Sequence, residues 1–157
     1  MFKRKDVEIL MYLRKNCREK LTNIAKILNR PASTVYEKMN NHNGIIQKNV
    51  CLIDFKKLGF LTKVKFIIRV WKTDKDKVRE FLSQHPNINS LYKINNGFDF
   101  LAEGIFEHLR DVEDFREKLE TRFKIKENKM YYVIQDIKRE EFLSHPEDIE
   151  LVNSVAA

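Results

Sequence analysis

INSLYKINNGFDFLAEGIF, residues 88–106, sets two short apolar runs on either side of Asn95-Asn96-Gly97. The flanking runs, 88–94 and 98–106, are rich in branched and aromatic side chains. Asn-Gly is the pair that best supplies the positive-φ positions of a tight hairpin. The stretch therefore predicts two antiparallel strands. Working upstream, Val64, Phe66, Ile68 and Val70 alternate with Lys63, Lys65 and Arg69, a strand with one buried face. Residues 74–84 follow as a helix with Val78, Phe81 and Leu82 inward. Downstream, residues 107–123 carry Leu109, Val112, Phe115, Leu119 and Phe123 on one helical stripe, and the apolar run 130–137 predicts a last strand. The order βαββαβ is a ferredoxin-like split unit, an antiparallel sheet with both helices on one face.

Such a sheet leaves its other face open. Ile67, Trp71, Leu101, Ile105, Tyr131 and Val133 belong to one or other face, since alternation fixes sets but not sides. Both sets carry large apolar residues, so a second copy of the chain is expected to cover the open face, as a homodimer.

The first third reads differently. Val7, Leu10, Leu13 and Cys17 recur at helical spacing, with Asp6 available as an N-cap. Leu21, Ile24, Ala25 and Leu28 form the buried set of a second helix, which ends at Asn29, a residue that tolerates the left-handed conformation. Pro31 suits the first turn of a third helix, which buries Ala32, Val35 and Met39 and stops near Gly44. Two short helices joined by a tight turn behind a stabilising first helix make a helix-turn-helix pattern. Ser33, Thr34, Tyr36, Glu37, Lys38, Asn40 and Asn41 are then left to face outward, with hydroxyl, amide and ammonium groups suited to base edges and phosphates. Lys26 and Arg30 would neutralise flanking phosphates. An ordinary three-helix bundle with a polar surface fits the same spacing.

Charge adds weight. Of the net +7, residues 1–60 carry +8 (13 Lys+Arg against 5 Asp+Glu) and the rest −1 (17 against 18). A concentrated basic head suggests a polyanion such as duplex DNA, although a solvated basic face has the same composition.

Residues 23–39, NIAKILNRPASTVYEKM, resemble the second and third helices of the Lrp/AsnC (feast/famine) family of transcription regulators, with Ile24-Ala25 at the family's Leu-Ala pair. Residues 44–60, GIIQKNVCLIDFKKLGF, are similar to its following strand and linker, matching at Gly44, Ile46, Asp54, Lys57, Leu58 and Gly59. Asn29 stands where the family turn has Gly, and Pro31 where it has a Ser cap. The resemblance runs to about residue 142. It implies a winged-type helix-turn-helix domain at 1–53, a linker at 54–62, a ferredoxin-like dimerisation and effector domain at 63–142 and a C-terminal tail at 143–157. It further implies dimers that assemble into tetramers or octamers, and an amino-acid effector near a Gly-x-Tyr-Asp-Tyr turn. Here Gly97-Phe98-Asp99-Phe100 keeps Gly97 and Asp99 as effector candidates and loses both tyrosine hydroxyls. Gly97 as the turn's positive-φ residue and Asp99 as a turn-stabilising carboxylate are the plainer roles.

No metal or other cofactor is expected. The four histidines, His42, His85, His108 and His145, are scattered, and no nucleophile elbow or phosphate-binding loop is present, so no enzyme is expected. Cys17 and Cys51 lack metal-ligand spacing and read as reduced core residues. No run nears the ~20 apolar residues of a membrane span, and the charged start precedes no signal-type apolar core, so a cytoplasmic location is expected. An architectural protein that compacts DNA, and a metabolite-binding module with no DNA role, remain alternatives to sequence-specific regulation.

Overall fold

The computed structural model describes residues 4–41 and 44–151. By its internal contacts the chain divides into two units, Met1–Leu52 together with Ile137–Ala157, and Ile53–Asp136.

In the first unit three helices pack together: α1 (Arg4–Lys15), α2 (Leu21–Ile27) and α3 (Ala32–Asn41). Ile9, Ile24, Ala25 and Val35 are the buried centre, with Tyr12, Leu13, Leu21, Leu28, Ala32 and Met39 against them. Asn29 takes the left-handed conformation (φ 51°). The Arg30 amide then donates to the Ala25 carbonyl at 2.8 Å, which closes the end of α2. Pro31 comes just before α3, its carbonyl accepting from the Thr34 and Val35 amides at 3.1 and 3.3 Å. Asp6 is not the N-cap of α1. It lies inside the helix, 4% exposed, and its carboxylate holds the Lys38 ammonium of α3. Residues 44–54 form no strand, contrary to expectation; Ile45, Ile46, Val50, Leu52 and Ile53 are exposed. Within one chain this segment has no neighbouring strand to satisfy its amides and carbonyls, and extended backbone alone is not a ladder. Cys51 is likewise exposed rather than in a core.

By its contacts the C-terminal segment, Ile137–Ala157, groups with this unit. Ile149 is buried against Val7 and Met11 of α1, with Leu143 packed beside them. The unit as a whole carries +4 (13 Lys+Arg against 9 Asp+Glu) and residues 53–136 carry +3 (17 against 14). The concentrated charge read from residues 1–60 is thus diluted by the five carboxylates at Glu140, Glu141, Glu147, Asp148 and Glu150.

The second unit opens with a 3₁₀ turn, Phe55–Leu58, capped by Asp54 and ended by Gly59 at φ 94°. Then come β1 (Thr62–Val70), α4 (Lys75–Gln84), β2 (Ile88–Lys93), β3 (Phe100–Phe106), α5 (Leu109–Arg122) and β4 (Ile125–Tyr132). The strands order β2-β3-β1-β4 and every pair is antiparallel. This is the expected α+β ferredoxin-like sheet. Val64, Phe66, Ile68 and Val70 of β1 lie in one core with Val78 and Leu82 of α4 and with Val112, Phe115 and Leu119 of α5. Phe115 is the hub, its ring 5.1 Å from Phe66, 5.6 Å from Phe106 and 4.7 Å from His85.

The last strand is displaced from expectation. It runs 125–132 rather than 130–137, and Ile134 and Ile137 are 89% and 94% exposed. Its extent is set by β1, from Val64↔Tyr132 to Val70↔Ile125. The polar stretch Lys126-Glu127-Asn128-Lys129 is therefore strand, while the apolar run drifts past the end of its partner.

Candidate functional site

On α3, Ser33, Tyr36, Glu37 and Asn40 are exposed, Tyr36 by 48%, and their spacing puts them on one side of the helix. Thr34 is half-buried. The side chain of Asn41 lies outside the described residues. Lys26 projects from α2 and is exposed. The two remaining basic candidates are occupied. Arg30 pairs with Glu8, and Lys38 pairs with Asp6, so both tie the turn and α3 to α1. The helix presents hydroxyl, phenol, amide and carboxylate groups, while its nearest cations act as braces. Asp6 and Glu8 were missed as functional partners by the sequence reading. The signal available was two carboxylates two residues apart on the first turns of α1, facing a basic turn and helix.

In the body, the turn between β2 and β3 holds Asn96 at φ 62° and Gly97 at φ 89°, the two successive positive values that an Asn-Gly hairpin supplies. No atom stands within 4 Å of where a Cβ on Gly97 would be, so its requirement is conformational. Asp99 is heavily engaged. Its carboxylate accepts from the Val70 amide at 2.8 Å and pairs with Lys75 at 2.5 Å. Its own amide donates to the Ile68 carbonyl at 2.9 Å. Burial alone would raise the Asp99 carboxyl, but the Lys75 and Val70 hydrogen bonds and the Lys75 and Lys126 charges outweigh it and hold the group below its usual range. Phe100 is 5% exposed and sits in the core; Lys129 lies over the Phe98 ring at 5.0 Å.

The register decides the faces. Lys63↔Ile105, Lys65↔Glu103 and Ile67↔Leu101 across β1–β3, and Lys65↔Tyr131 across β1–β4, alternate with the core residues. Ile67, Leu101, Ile105 and Tyr131 therefore lie on the side away from α4 and α5. Trp71 falls beyond β1, 53% exposed, with the Lys126 ammonium 4.2 Å above its ring. Glu103 crosses the middle of this open face, bound by Lys65 at 2.5 Å and Asn89 at 2.6 Å. Burial pushes its carboxyl up, but those two hydrogen bonds with the Lys65 and Lys63 charges pull it below its usual value. The face is thus apolar around a satisfied charged centre.

Among the described residues no helix is long and apolar enough to cross a membrane. Residues 66–143 match the model of the Lrp/AsnC ligand binding domain. A curated Pyrococcus furiosus protein, described as an uncharacterized HTH-type transcriptional regulator, is 29% identical over 112 residues, covering 70% of this chain and 76% of its own. Among solved structures, B. subtilis LrpC superposes with a TM-score of 0.80 at 21% identity, over 88% of this chain and 98% of its own. A Neisseria meningitidis transcriptional regulator in complex with L-Met gives 0.81 at 15% identity, over 88% and 94%. At those identities the solved structures establish a shared fold. Residues 66–143, which hold most of the sheet, belong to the Lrp/AsnC ligand binding domain family.

Proposed function

We propose that the chain is a transcription regulator that binds duplex DNA as a symmetric oligomer, with α2, the turn at Asn29 and α3 acting as a helix-turn-helix. The observation that carries this reading is the exposed stripe Ser33, Tyr36, Glu37 and Asn40, presented by a helix whose opposite side is locked to α1. Such a helix enters a major groove with its polar side chains at base edges. The name of the Pyrococcus relative, an HTH-type regulator, supports it. The open sheet face, with Ile67, Leu101, Ile105 and Tyr131, is the surface on which two copies pair. Small-molecule control, by an amino acid, rests on the ligand-binding match and on the L-Met carried by the Neisseria structure. Gly97, set by the turn's conformation, and Asp99, held by the Val70 amide and Lys75, would then shape the hairpin more than touch the effector.

Selection of bound duplexes from a random pool tests the reading. A palindromic motif supports it, duplex retained without a motif points to DNA compaction, and no retained duplex leaves a metabolite-binding module. Calorimetry with a full amino-acid panel tests the effector; no heat and no change in oligomer size would remove it. Ile105→Asp should convert the oligomer to monomers by sedimentation, and an unchanged oligomer would place the interface elsewhere.

A further inference from the structure

We infer that the C-terminal segment is a clasp that keeps the DNA-facing head in its working shape, fastened to the back of α1. Helix α1 has two working sides. Ile9, Tyr12 and Leu13 face α2 and α3. Val7, Met11 and Arg14, spaced at i, i+4 and i+7, face the returning chain. Val7 and Met11 are each 5% exposed and Ile149 is 6% exposed, so the clasp removes from water two apolar side chains that α2 and α3 leave uncovered. Arg14 fixes the segment at a second point, pairing with Glu140 at 2.9 Å and donating from Nε to the Phe142 carbonyl. The segment is itself shaped for the task. The Asp148 carboxylate accepts from the Ser144 and His145 amides, both at 3.1 Å, which closes the turn that delivers Ile149. Glu140 and Leu143 hold positive φ, 53° and 58°, at the two bends flanking the Phe142 contact. Non-glycine residues adopt that region at a cost, which the contacts on α1 offset.

The consequence reaches α3. Asp6 and Glu8, which brace Lys38 and Arg30, flank Val7 on the same helix. A clasp on Val7, Met11 and Arg14 therefore steadies the turns of α1 that carry both braces. It also means that the polypeptide passes between the two units twice, after Leu52 and again after Asp136. A change in the ligand-binding body has a second covalent route to the head besides the linker.

Hydrogen exchange on the full-length chain tests this without reference to DNA. Ile149→Asp should accelerate exchange across α1 and α3 by about tenfold or more while the amides of β1 and β3 keep their rates. Arg14→Glu should give a smaller acceleration, and adding Glu140→Arg should reverse the part owed to the ion pair, the Phe142 contact staying lost. Wild-type rates in α1 and α3 for Ile149→Asp, or no rescue by the reversed pair, would overturn the clasp. The inference rests on the head being the DNA-reading element only for its meaning. Loss of protection with no duplex bound by wild type would refute the regulator and leave the clasp standing.

Discussion

At the scale of single residues, two positions in the body owe their identity to opposite kinds of constraint. Gly104 faces the helices from the middle of the sheet, paired with Val64 and Ile88. A Cβ there would come within 2.5 Å of the Phe106 ring and 3.0 Å of the Phe66 ring, both fully buried. Gly104→Ala should therefore destabilise the body by about 1–3 kcal/mol, as overpacking does, read as a lower midpoint in denaturant. An unchanged midpoint would mean the rings have room to move. Nothing in the sequence marks this glycine, because the rings reach it only through strand register. Asp99, by contrast, was legible only in part: the sequence suggests a turn-stabilising carboxylate, whereas its partners are the distant Val70 amide and Lys75. Its lowered pKa makes its contribution full above the ordinary carboxylate range and lost as the pH falls through that range and below it. Asp99→Asn should flatten the acid limb of the body's stability curve below about pH 4, and a parallel curve would leave the shift without a stabilising role.

At the scale of elements, the sheet was read well wherever alternation was clean, in β1 and in the hairpin strands. The reading failed at β4. Apolar content pointed to 130–137, yet the strand's bounds are imposed by hydrogen bonds to β1, a partner about 60 residues away. The third helix was also placed correctly, but the partners of its side chains were not legible. Spacing separates inward from outward positions; it does not say which outward cation has found a carboxylate. Lys38 sits beside a nearly buried Asp6, so Lys38→Ala strips a charge partner from a group with little water around it. That should cost the head on the order of 2 kcal/mol, less than a fully buried pair because Lys38 is partly exposed. Tyr36→Ala removes only an exposed ring. The two variants should separate cleanly: Lys38→Ala lowers exchange protection in α1 and α3, whereas Tyr36→Ala leaves protection intact and weakens duplex retention. Fluorescence of the single Trp71, which belongs to the body, should report unchanged unfolding in both. Full protection in Lys38→Ala would show that the ion pair does not brace the helix.

For the whole molecule, linear charge counting misassigned the field. It placed +8 in residues 1–60 because it had no means of knowing that the acidic end of the chain returns to the helices at the start. Folded, the head unit carries +4 and the body +3, so neither unit is strongly basic. On the proposed function, the electrostatic share of duplex affinity should accordingly be modest, with contacts along α3 supplying more of it. Glu141 and Glu147 are exposed, and neither carboxylate holds the Arg14 or Ile149 contacts of the clasp. Replacing both by Gln raises the unit's formal charge by two, and the pairs given up, Glu141 with Lys138 and His145 at 3.8 Å, are exposed and of little weight. Affinity for duplex should then rise at low ionic strength and converge with wild type as salt approaches about 0.5 M, where screening shortens to a few ångströms. A gain that persists at high salt would indicate new contacts rather than field, and no gain at any salt would show that the carboxylates lie too far from the bound phosphates to act. Because the substitution leaves α3 untouched, sequence preference should stay constant while absolute affinity moves, which distinguishes a change in field from a change in the reading surface.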